Sequence, residues 1–153
     1  MRVPERWGRA AWAGLLALLW LAAPSGAQAL APVSIQATMI LASDQPSAQD
    51  PRLDLVEYKL RRMFRFEYYR HYGEGSAVLN LPGSTVLDLG RGFRLNLSGA
   101  SAGKGKVRAG VQWLRGGDVL LNTTVVMDSG APVILGGVSH EGGTLIVVLS
   151  TSR

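Results

Sequence analysis

The chain has 153 residues, of which 47% are hydrophobic and 18% charged; sixteen Lys and Arg oppose eleven Asp and Glu, and there is no cysteine. That length supplies one domain once a leader is set aside. The missing cysteine excludes disulfides and leaves nothing for a lipid anchor at a cleavage site, so an exported chain of this kind must be held by its core alone.

The first 29 residues read as a secretory signal peptide. Arg2, Arg6 and Arg9 make a positive start, an apolar run follows from Ala10 to Ala23, and Ala27 and Ala29 complete an A-x-A pattern. The run is too short to cross the ~30 Å hydrocarbon core comfortably, and no later run approaches the ~18 apolar residues of a membrane helix. Cleavage after Ala29 leaves one domain, residues 30–153. Three arginines and one glutamate go with the leader, so thirteen basic and ten acidic residues remain, a net charge of +3. That is too mild to indicate nucleic acid as a partner. Three of the four tryptophans also go, leaving Trp113.

From Pro32 to Ala42, Val33, Ile35, Ala37, Met39 and Leu41 alternate with mostly polar residues, the pattern of a half-buried strand. Asp50-Pro51 then reads as an N-cap and a proline at the first helical position. Leu53, Val56, Leu60, Met63 and Phe64 recur at helical spacing, and Arg61 and Arg62 suit the negative end of the dipole. The one helix is therefore predicted over Pro51 to Phe64. An aromatic strand from Phe66 to Tyr72 follows, ended by Gly73-Glu74-Gly75.

Short strand-like runs then alternate with turns: Ala77–Leu81, Thr85–Leu89, Phe93–Leu97, Lys106–Leu114, Val119–Met127, Val133–Leu135 and Thr144–Ser150. Ser98 to Gly105 and Gly136 to Gly143 read as loops. In the fifth run, Val107, Ala109, Val111 and Trp113 share one face, which should be core. The expected fold is mainly β: an antiparallel sandwich or small barrel of about eight short strands, with one α-helix near the start of the processed chain.

Few residues offer chemistry. The two histidines, His71 and His140, have no partner evident in the sequence. His140 lies in Ser139-His140-Glu141, whose neighbours face opposite ways on a strand, so the tripeptide by itself makes no relay. A metal site would have to use carboxylates beside them. Asp50 is explained by capping, and Asp88, Asp118 and Asp128 by turns. Gly90-Arg91-Gly92 and Gly103-Lys104-Gly105 lack the following helix that would receive a phosphate. No metal, cofactor or catalytic set is assigned.

The one positive signal is Tyr58 to Tyr72, where Lys59, Arg61, Arg62, Arg65 and Arg70 interleave with six aromatic rings. Arg and Tyr are the residue types that binding hot spots favour. Phe66, Tyr68 and Tyr72 form the more apolar face of the strand and are expected to be core. Arg65, Tyr69 and His71 lie on the opposite face and are the candidate contact surface. The sequence thus reads as an exported, non-catalytic binding or assembly module of the periplasm or cell envelope, without a stable membrane span. Its partner is another envelope or secreted protein, or itself. The alternative is a carbohydrate- or small-ligand-binding sandwich, which needs at least two of Tyr68, Tyr69, Tyr72 and Trp113 exposed in one groove.

Two resemblances accompany this reading. Asn122–Met127, the turn Asp128-Ser129-Gly130 and Val133-Ile134-Leu135-Gly136-Gly137-Val138 together resemble the closing segment of bacterial secretins. The chain has no room for secretin membrane-spanning hairpins, so the resemblance implies a local strand–turn–strand and no function. With Ile40-Leu41-Ala42-Ser43, one helix and a β-rich remainder, the chain is also similar to small exported proteins of Gram-negative-type bacteria, which imply no activity.

Overall fold

A computed structural model describes residues 32–152; the leader expected over residues 1–29 lies outside them. The order is β1 (Val33–Ser43), a 3-10 turn (Pro51–Leu53), α1 (Asp54–Met63), β2 (Tyr68–Leu79), β3 (Gly83–Gly90), β4 (Phe93–Ser101), β5 (Val107–Arg115), β6 (Asp118–Met127), β7 (Val133–His140) and β8 (Gly143–Ser152). The strands form two antiparallel four-stranded sheets, β2-β1-β8-β7 and β3-β4-β5-β6. Of the two architectures expected, the sandwich is the one formed.

The topology is a meander folded flat. Consecutive strands are neighbours except at two places, β2 to β3 and β6 to β7, where the chain crosses between sheets. β8 returns beside β1, with Ser34 opposite Ser152 and Ala42 opposite Thr144. The strand order is therefore cyclic, opened at two seams.

The main core lies between the sheets. Alternate residues of β5 from Val107 to Trp113 point into it: Val107, Ala109, Val111 and Trp113 are all buried, as their alternation requires. Phe93 and Leu95 from β4, and Met39 and Leu41 from β1, meet them. A second, smaller cluster lies on the outer side of the first sheet. There Leu53 and Leu60 of the helical segment cover Ile40 and Ala42 of β1 and Ile146 and Val148 of β8. This cover explains the apolar run Leu145–Leu149, which is buried on both faces.

Two expectations are corrected. Gly73-Glu74-Gly75 does not end a strand; β2 runs through it. The glycines are needed for close approach, since a Cβ at Gly73 would collide with the Leu89 carbonyl oxygen and one at Gly75 with that of Asp88. The seam between β2 and β3 is closed by backbone rather than by side chains. The presumed loops Ser98 to Gly105 and Gly136 to Gly143 are also partly strand, because β4 extends to Ser101 and β7 to His140. Glycine in these runs marks a bulge instead: pairing of β7 with β8 shifts between Gly136 and Val138, and Gly137 takes a φ of 108°.

Candidate functional site

The helix is built as its sequence dictates, and it is turned so that one face is left bare. Asp50 caps it: its Oδ1 accepts from the Arg52 amide at 3.1 Å, and the Arg52 guanidinium closes on Oδ2 at 2.8 Å. The Arg52 hydrogen bond holds the Asp50 carboxyl down at about 2, from an ordinary 3.8. Asp54 and Glu57 occupy the first turn of α1 and Arg61 and Arg62 the last, each complementing the dipole. Leu53 and Leu60 are fully buried. Among the outward residues are three large apolar ones, interspersed with charged side chains: Leu55 is 92% exposed, Tyr58 68% and Met63 59%. Arg62 lies 5.7 Å from the Tyr58 ring centroid, and Lys59 and Arg65 are exposed.

Of the three residues expected to make a contact surface, only Arg65 is exposed. Tyr69 is buried beneath the helix in the smaller cluster. Its hydroxyl donates to the Phe64 carbonyl at 2.8 Å, and burial pushes the phenol pKa up. Arg61 sits 5.5 Å from the Tyr69 ring centroid and donates to Glu57 Oε1 at 2.6 Å. Glu57 Oε2, also buried, has no hydrogen-bond partner. The His71 side chain is 11% exposed and meets Glu74 Oε2 at 3.2 Å. The face assignment is thus corrected at Tyr69 and His71: the helix folds back over Tyr69 and the His71 side chain is mostly buried, while Arg70 between them stays exposed. Tyr72 is core, as expected.

The structure also assembles a cluster that the sequence did not reveal. At one end of the sandwich Tyr72 of β2, His140 of β7, Arg115 of β5 and Glu141 of the β7–β8 turn converge. Arg115 Nη1 lies 3.3 Å from His140 Nδ1, Tyr72 Oη lies 2.8 Å from His140 Nε2, and Tyr72 Oη donates to Glu141 Oε1 at 3.3 Å. Arginine only donates, so Nδ1 accepts and the ring proton is on Nε2. One directional chain results: Arg115 to His140, His140 to Tyr72, Tyr72 to Glu141. Arg91 lies 4.5 Å from the Tyr72 ring centroid and Arg115 5.2 Å from that of Phe93. Arg91 and Glu141 both take positive φ, 55° and 46°, to deliver these groups from tight turns. With both imidazole nitrogens engaged, the cluster serves as a polar plug tying β2 to β7. Its members come from three strands and a turn spread over some seventy residues of the chain, which is why no motif announced it.

On the opposite flank, the outer face of β3–β6 carries a shallow depression of about 530 Å³ around Ser98, Gly110, Asn96, Gln112 and Asn122. Asn96 Nδ2 donates to Gln112 Oε1 at 3.1 Å. Among the described residues no group of three or more His, Asp or Glu side chains is placed to hold a metal ion, and no helix is long and apolar enough to cross a membrane. Comparison with known protein families, curated proteins and solved structures finds no match to this chain.

Proposed function

We propose that the protein is an exported, non-catalytic docking module of the cell envelope, and that it engages an acidic protein partner through the outer face of α1. The observation that carries this reading is the exposure of Leu55, Tyr58 and Met63 on a helix whose other side is buried. Large apolar side chains grouped on a short helix mark interaction sites. Lys59 and Arg62 of the same helix and Arg65 just after it are exposed, and Arg62 braces the Tyr58 ring. An exposed aromatic ring with an arginine beside it is a composition that binding hot spots favour. The complementary surface is an apolar notch rimmed by carboxylates. Export is supported by the order of charged, apolar and small residues in the leader.

The test is a photo-crosslinkable residue at position 58, activated in the native envelope, followed by partner capture with the double variant Tyr58→Ala and Arg62→Glu. Both positions are exposed, so stability should stay within about 0.5 kcal/mol. The partner should crosslink at position 58 and be lost on the double variant. A partner retained by that variant places the docking surface elsewhere.

A second reading, a neutral polar ligand such as a saccharide, is favoured by the amide-lined depression on β3–β6. The aromatic platform first considered for it does not form, because Tyr69, Tyr72 and Trp113 are buried. A glycan-array screen with Gln112→Ala as its control separates this reading from the first.

A further inference from the structure

A sheet opened at two seams has four edges, and three of them are guarded. β2 and β3 lie against each other at Gly73 and Gly75, whose missing Cβ atoms let the strands touch. β7 is bulged at Gly136 and Gly137, and Pro132 precedes it. Bulges, prolines and charges are the ordinary means of stopping a strand edge from pairing with another chain.

β6 has none of these over most of its length. Its register shift lies near its start, between the partners of Trp113 and Leu114; from Leu121 to Met127 it pairs regularly with β5 on one side. Within the described residues nothing pairs with its other side. Residues 119–127 read Val-Leu-Leu-Asn-Thr-Thr-Val-Val-Met, without charge, proline or glycine. Val119 and Val126 are 52% and 49% exposed, and Leu121 and Val125 are only half-buried against the core. From Leu121 onward this edge is regular, rich in β-formers and bare.

We infer that β6 is a self-association edge, and that its occupant is the β6 of a second copy, paired antiparallel about a two-fold axis at Thr123. The strand is self-complementary in that register. A two-fold axis normal to the sheet keeps each side chain on its own face, so opposite residues must share a face. Centring on Thr123 sets Leu121 against Val125 on the inner face and Asn122 against Thr124 on the outer face. Apolar meets apolar and polar meets polar. The result is one eight-stranded sheet across two copies, closed by symmetry so that it does not propagate. The inference is independent of the docking role of α1, which lies on the other sheet.

The test uses sedimentation velocity on the protein expressed from its full sequence, across a concentration series, with two double variants. The parent should move from monomer to twice the monomer mass as concentration rises. Asn122→Lys with Thr124→Lys brings like charges face to face at both outer pairs and should abolish the dimer. Asn122→Glu with Thr124→Lys brings opposite charges together in the same register and should retain it. Positions 122 and 124 are exposed, and far-UV circular dichroism checks that each variant is folded. A parent that stays monomeric at its highest soluble concentration overturns the inference. So does a dimer that survives the double lysine variant, or one lost equally from both variants.

Discussion

Trp113 shows how one side chain can anchor both the core and its measurement. It is fully buried, meets Phe93 at a centroid distance of 6.4 Å, and its indole Nε1 has no hydrogen-bond partner. Truncation to alanine should cost about 3–5 kcal/mol by the cavity left behind. Trp113→Phe should cost less, because it removes the unpaired N–H along with part of the ring. Chemical denaturation of the two variants checks both, and an alanine variant as stable as the parent contradicts the packing. Tyr69 makes a second case. Its hydroxyl closes the end of α1 by donating to Phe64, so Tyr69→Phe should lose about 1 kcal/mol. Loss of partner binding on Tyr69→Ala would therefore report unfolding of the smaller cluster rather than a lost contact.

At the scale of the element, the helix and the first part of β2 decide what is exposed. Asp50-Pro51 was legible as a helix start because the cap and the proline act locally, through one carboxylate and one fixed φ. The face of β2 was not legible. Alternation alone says that residues 69 and 71 share a side, and it cannot say that a helix comes back to cover that side. The signal lay elsewhere in the chain: Leu145–Leu149 is apolar without alternation, which only a strand covered on both faces requires. Gly73 and Gly75 likewise carried two meanings, turn or close approach, and only the neighbouring strand decides between them. Gly73→Ala should then destabilise by about 1–3 kcal/mol, since its Cβ meets the fixed Leu89 carbonyl and no flexible side chain can yield. Equilibrium unfolding measures this, and a neutral result means that the β2–β3 seam is wider than described.

The cap makes a pH prediction with a defined sign. The Asp50 carboxyl is lowered in the folded state, to about 2 from 3.8. Its contribution is therefore fully present above the unfolded value and is lost as pH falls through the folded one. The Arg52 amide resonance should hold its position until pH nears 2, and a midpoint near 3.8 would show that the cap is not made in solution.

At the scale of the whole molecule the cyclic strand order is the governing fact. β1 and β8 come from opposite ends of the described chain, yet they pair along their full length at the centre of one sheet, and their outer side chains support the helix. The ring of neighbours therefore has no privileged starting point, although the chain does. Val33 and Ser152 lie at the same end of that pair, so a short glycine-serine linker can join them as an ordinary hairpin. The chain can then be reopened between Gly103 and Lys104, in the exposed turn from β4 to β5, where the cut is spanned by two backbone bonds, Lys106 amide to Gly103 carbonyl and Ala102 amide to Lys106 carbonyl, each 2.9 Å. In such a permutant every strand keeps the pairing partners it has in the parent. It should fold to the same strand-dominated circular dichroism spectrum and unfold in one cooperative transition, as termini placed at exposed loop tips generally allow. If it does not fold, the pairing of β1 with β8 depends on the order in which the strands are made rather than on the ring they complete. The same measurement on a chain cut within Leu145–Leu149 gives the contrast. That run is buried on both faces and shared by both clusters, so breaking it should abolish the cooperative transition altogether.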